Sequence, residues 1–144
     1  MDVSELRKRI LHALDDARKE AAAKRGVVDE AGRAYEAFLV NIAVPMFKQA
    51  QAVLKAEGYL FTVQTPAASV RLQAEKSAET YLELILDPAS TPPAVLGRAS
   101  LTRGRRGQVI EESPVAAGKA IADITEDDVS TFLLAGIGRL VVKS

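Results

Sequence analysis

The chain has 144 residues, 48% of them apolar and 26% charged, and its 19 Lys plus Arg balance its 19 Asp plus Glu. This is the composition of one globular domain with a substantial core, and its neutrality offers no global field to attract a polyanion. There is no Cys, no Trp and one His, which excludes disulfides, thiol chemistry, Cys-ligated metals and any Ser-His-Asp or Cys-His machinery not built on His12.

The first five residues are polar and acidic, unlike the basic and apolar start of a secretory signal. The nearly apolar run from Ala37 to Phe47 is broken by Asn41 and Pro45 and is short for a bilayer span. A cytoplasmic protein without a membrane partner is expected.

Residues 1–58 read as a helical block. Val3, Leu6, Ile10, Ala13, Ala17 and Ala21 recur at helical spacings, and Val28, Ala31, Tyr35, Phe38 and Ile42 continue the pattern. Asp2 or Ser4 is placed to cap the start. From Ala17 to Val28 the interval equals three turns of about 3.67 residues, so one long helix could pass through Gly26 with its apolar face in phase. A helical hairpin broken at Gly26 and restarted at Asp29 is preferred. Lys24-Arg25-Gly26 resembles a helix end, and Val27-Val28 is a poor helical pair. Pro45 predicts a kink, and Lys55-Ala56-Glu57-Gly58 predicts the helix terminus, with Gly58 left-handed.

Residues 59–117 carry two-residue alternation. Tyr59, Phe61 and Val63 alternate with polar neighbours up to Pro66, followed by Ala68, Val70 and Leu72. Leu82, Leu84 and Leu86 share one face of the next strand. Asp87 to Pro93 holds three prolines and predicts a loop. Val95, Gly97, Ala99 and Leu101 then face one side and Arg98, Ser100 and Thr102 the other, before Gly104-Arg105-Arg106-Gly107 turns the chain into a strand from Gln108 to Glu111. Arg71, Glu83, Arg98 and Thr102 are expected on the sheet face away from the helices. In residues 118–144, Thr125-Glu126-Asp127-Asp128 forms a capped helix start. Val129, Phe132, Leu133, Ile137, Leu140 and Val141 are the apolar face behind it. Gly136 and Gly138 suit close backbone approach, with Gly136→Leu as the disruptive change. The predicted architecture is α+β: long N-terminal helices (hairpin or kinked helix), an antiparallel β-meander of four to five strands, and a C-terminal amphipathic helix, in a single domain.

Candidate chemistry is sparse. His12 lies off the apolar stripe beside Asp15 and Asp16 and reads as a surface residue. The carboxylate clusters lack calcium-loop or His-ligand spacing, so no metal, and no other cofactor, is implied. The sharpest local feature is basic. Arg98, Arg103, Arg105 and Arg106 give +4 over residues 98–107, while six acids against Lys119 give −5 from Glu111 to Asp128. A basic β-ribbon tip could grip nucleic-acid phosphates, although no aromatic residue flanks it for base stacking. It could also meet the acidic segment of another copy. The helical block points to self-association as well. Its apolar surface exceeds what a lone meander would cover, which places Tyr35, Phe38, Leu39, Ile42 and Met46 at a dimer interface. The expected function is therefore non-enzymatic: a self-associating interaction or adaptor protein, a homodimer. Nucleic-acid binding through residues 98–107 is one alternative. A ligand or enzymatic pocket between helices and sheet, lined by Tyr35, Tyr59 or Tyr81, is the other.

Overall fold

A computed structural model describes residues 2–102 and 107–141. One helix dominates it. Helix α1 (Val3–Phe38) passes through a π-helical turn, Leu39–Ala43, into α2 (Val44–Ala56), making 54 residues without a break in the chain's helical course. The preferred hairpin at Gly26 is thus corrected to a continuous, locally distorted helix. Gly26 is exposed with open space around its Cα, so it costs the helix only about 1 kcal/mol. The alternative phase argument prevails, because no proline or capping side chain intervenes between Ala17 and Val28 to stop propagation. Pro45 does perturb the helix, as expected, but by a π turn in which the Val44 N–H reaches the Leu39 carbonyl. The wider turn accommodates a ring that has no N–H to donate. At the far end Gly58 takes φ +92°, with the Tyr59 N–H on the Leu54 carbonyl at 2.8 Å and its own N–H on the Lys55 carbonyl at 3.0 Å. That pair of bonds is a Schellman cap.

Five strands follow as an antiparallel meander: β1 (Phe61–Gln64), β2 (Val70–Ala74), β3 (Tyr81–Asp87), β4 (Ala94–Thr102) and β5 (Gln108–Pro114), neighbours in space in chain order. The fifth strand runs past Glu111 to Pro114, because the Glu112 and Ser113 backbones keep pairing with Arg98 and Gly97. The register aligns Val63, Leu72, Leu82 and Ala99 in one row and Val70, Leu84 and Gly97 in the next. Strand alternation puts these rows on one face, and Tyr35, Phe38, Ala43, Phe47 and Leu54 bury against it. A 3₁₀ turn, Ile121–Asp123, adds Ile121 and Ile124 to the same core.

Helix α3 (Glu126–Val141) closes the layer. Its start is a reciprocal capping box, with the Asp128 N–H on Thr125 Oγ1 at 3.2 Å and the Thr125 N–H on Asp128 Oδ2 at 2.9 Å. Val129, Leu133 and Gly136 are buried. A Cβ placed on Gly136 would lie 2.5 Å from Leu82 Cδ2, so the bare glycine is what lets α3 sit on β3. Gly138 has open space around it, and its assigned packing role is corrected: it points off the contact face. On the strand side, Gly97 provides a second close approach, opposite the Phe132 ring.

Candidate interaction surfaces

The sheet face away from the helices carries a row of alternating charge. Register aligns Arg71, Glu83, Arg98 and Glu112 across β2, β3, β4 and β5. Arg71 Nε donates to Glu83 Oε2 at 2.9 Å, Arg98 Nη1 to Glu83 Oε1 at 3.3 Å, and Arg98 Nη2 lies 2.9 Å from Glu112 Oε1. Glu83 is only 3% exposed although no helix packs over it among the described residues. The two arginine side chains shield it, and both of its oxygens are taken up by them, with Ser69 Oγ a further donor at 3.4 Å. Arg71 also lies 4.0 Å from the centre of the Tyr81 ring, a cation–π contact beside its bond to Glu83. Burial works against the Arg98 charge, but the Glu112 and Glu83 carboxylates outweigh it and hold the guanidinium above its ordinary pKa. The row is a self-neutralised ladder. Both arginines are committed to carboxylates of the row itself.

This placement bears on the basic hairpin. Arg103, Arg105 and Arg106 lie outside the described residues. Arg98 sits mid-strand, committed to Glu83 and Glu112, and is no part of an open tip. Three acids of the acidic segment are engaged within the chain: Glu111 pairs with Arg139, Glu112 with Arg98, and Asp128 with Lys119.

The three tyrosines do not converge. Tyr35 is 2% exposed between helix and sheet, its hydroxyl donating to the Ala68 carbonyl at 2.7 Å and lying 3.3 Å from that of Leu84. Burial, aided by the Glu83 carboxylate, pushes that hydroxyl's pKa up. The bond anchors a turn in which Ala67 and Ala68 adopt positive φ. Tyr81 faces the opposite side of the sheet, and Tyr59 follows the Schellman cap, part exposed. The described concavities between layers are open. The cleft between β5 and α3, about 360 Å³, is lined by Phe132, Gly97, Thr131 and the paired Glu111 and Arg139.

The residues assigned to a dimer interface are chiefly the protomer's own core. Tyr35, Phe38 and Leu39 are buried, and Ile42 and Met46 are half-buried against the sheet and its helical cover. The five-strand meander, the 3₁₀ turn and α3 together shelter the buried side chains of this stretch. Apart from Val40 and Val53, which are 70% and 64% exposed, the large exposed apolar side chains of the helix lie N-terminal to this stretch. Every described residue up to Glu30 is exposed, including Val3, Leu6, Ile10, Leu11 and Leu14, which are 46–80% exposed. At 3.6 residues per turn, Val3, Leu6, Ile10, Ala17 and Val28 project within about 40° of the direction of Tyr35. The stripe that builds the core therefore continues, uncovered, along the arm. Intrahelical pairs Glu5–Arg9 (3.2 Å) and Asp15–Lys19 (3.1 Å) support the arm, and His12 lies 3.5 Å from Asp16 on its outer side. By length and composition the helix Val3–Ala56 could also cross a membrane. Its most apolar part is the segment that covers the sheet. Among the described residues no cluster of His, Asp and Glu could hold a metal ion. Set against protein-family models, curated proteins and solved structures, the chain matches none of them.

Proposed function

We propose that the protein is a self-associating interaction protein whose N-terminal helical arm pairs with that of a second copy. One observation carries this reading: a helical arm with Val3, Leu6 and Ile10 in water on the same stripe that is buried farther along, and Leu14 exposed beside it. A stripe that repeats at helical spacing and finds no cover among the described residues has the character of an interface. The size of the effect is modest. Leu6, Ile10 and Leu14 are about half exposed and Val3 is 80% exposed, so sheltering each contributes about 1 kcal/mol, against about 2 kcal/mol for burying a large apolar side chain completely. Eight such side chains in a pair give about 8 kcal/mol, against an association cost of at least about 4 kcal/mol. At that minimum cost the net of about 4 kcal/mol corresponds to a dissociation constant of about 1 mM.

The test is light scattering and sedimentation of the full chain from about 10 μM to 1 mM. The expected result is a monomer–dimer equilibrium that Leu6→Asp with Ile10→Asp returns to monomer while leaving the melting of the sheet domain unchanged. A chain that stays monomeric across the range overturns the proposal.

A further inference from the structure

We infer that the two arms pair parallel and in register, over Val3–Ala21, so that both sheet domains emerge at the same end. This rests on the self-association reading and adds its geometry. Two independent features of the arm carry it. The first is the seam. Reading Val3 as an a position puts Leu6 at d, Ile10 at a, Ala13 at d and Ala17 at a. β-Branched residues at a with Leu at d are the pattern that favours two parallel strands. Glu20 and Lys24 interrupt the pattern, and from Ala23 the helix instead borders the Pro88–Pro93 loop, so the seam ends there.

The second feature is charge. Among the helical residues of the seam, projection at 3.6 residues per turn puts Arg7 and Arg18 on one flank of the stripe and Glu5 and Asp16 on the other. Arg9 falls on the acidic flank and is bound to Glu5 of its own helix. In a parallel pair the left flank of one helix meets the right flank of the other, so basic meets acidic. In an antiparallel pair like flanks meet, and the arginines oppose one another. Charge of this kind sets orientation more than affinity.

The absence of native cysteine makes the test clean, since single-cysteine variants report one position each. Val3→Cys and Ala17→Cys occupy a positions near the two ends of the seam. Disulfide formation needs Cα atoms within about 7 Å, which a parallel pair provides for each variant with itself. The expected result under mild oxidation is a homotypic disulfide dimer for both, formed roughly tenfold faster than for the outward-facing His12→Cys. If light scattering shows a dimer and only a mixture of Ala17→Cys with Leu6→Cys cross-links, the arms are antiparallel. The orientation then falls while self-association stands. If the chain dimerises and none of these variants cross-links, the arm is not the interface. A monomer that co-sediments with vesicles of neutral phosphatidylcholine, or of that lipid with an anionic one, overturns both readings in favour of a lipid surface.

Discussion

Replacing Gly136 by alanine tests the packing of α3 on the sheet with a sign that helix chemistry alone would get wrong. In an exposed helix, Gly→Ala stabilises by about 1 kcal/mol. At Gly136 the new methyl would stand 2.5 Å and 2.7 Å from the two Cδ atoms of Leu82, where apolar carbons rest at about 3.5–4.0 Å. Leu82 is fully buried between Leu72 and Ala99 in its cross-strand row, so it has no open side to turn into. Overpacking of this kind costs about 1–3 kcal/mol, and the closed site places it at about 2–3 kcal/mol. The net effect is a loss of about 1–2 kcal/mol. For 144 residues unfolding near 60 °C, 1 kcal/mol moves Tm by about 3 °C, so Gly136→Ala should melt about 3–6 °C lower. Gly138→Ala, two residues on and surrounded by open space, should melt about 3 °C higher. Calorimetry of both variants, with Leu82→Ala added to complete a double-mutant cycle, measures the contact directly. Equal Tm shifts for the two alanine variants would refute the assignment of α3 to this position on β3.

Four further outcomes follow from the geometry. Gly26→Ala should raise helicity by circular dichroism and slow hydrogen exchange in the arm by up to about fivefold, the equivalent of about 1 kcal/mol; reduced helicity would restore the hairpin. Glu83→Ala should destabilise by about 2–3 kcal/mol in denaturant unfolding, because Arg71 and Arg98 are left facing each other. That is below the loss for a fully buried pair, since both arginines reach water. The Asp128 carboxyl is held below its ordinary pKa by Lys119, then by the Thr125 N–H. Its contribution to stability is therefore complete above about pH 4, the unfolded value, and is lost as pH falls through the lower folded value; Asp128→Asn should flatten that part of the acid limb. Tyr35→Phe leaves the Ala68 carbonyl without its 2.7 Å donor and should cost about 1 kcal/mol, read as a lower denaturant midpoint.

Much of the fold is present in local chemistry. The Gly58 terminus, the capping box at Thr125 and Asp128, and the inward row of Leu82, Leu84 and Leu86 depend on interactions between residues near in sequence or on a two-residue period. They were readable for that reason. The candidate surfaces were legible only in part. Arg71, Glu83 and Arg98 could be assigned to one sheet face by alternation. Their alignment with Glu112 into a single ladder depends on the register of three separate strand pairings.

Sequence by itself determined the element types, their order and the apolar stripe running from Val3 to Ile42, because helix and strand periodicities are properties of neighbouring residues. Tertiary structure alone decided where that stripe stops being covered. The meander, with the 3₁₀ turn and α3, buries Tyr35, Phe38, Leu39, Ala43, Phe47 and Leu54, and no buried residue of the long helix lies N-terminal to Tyr35. Which apolar side chains belong to a core and which to a partner depends on the width and placement of the opposing layer, a distance relation between residues far apart in the chain.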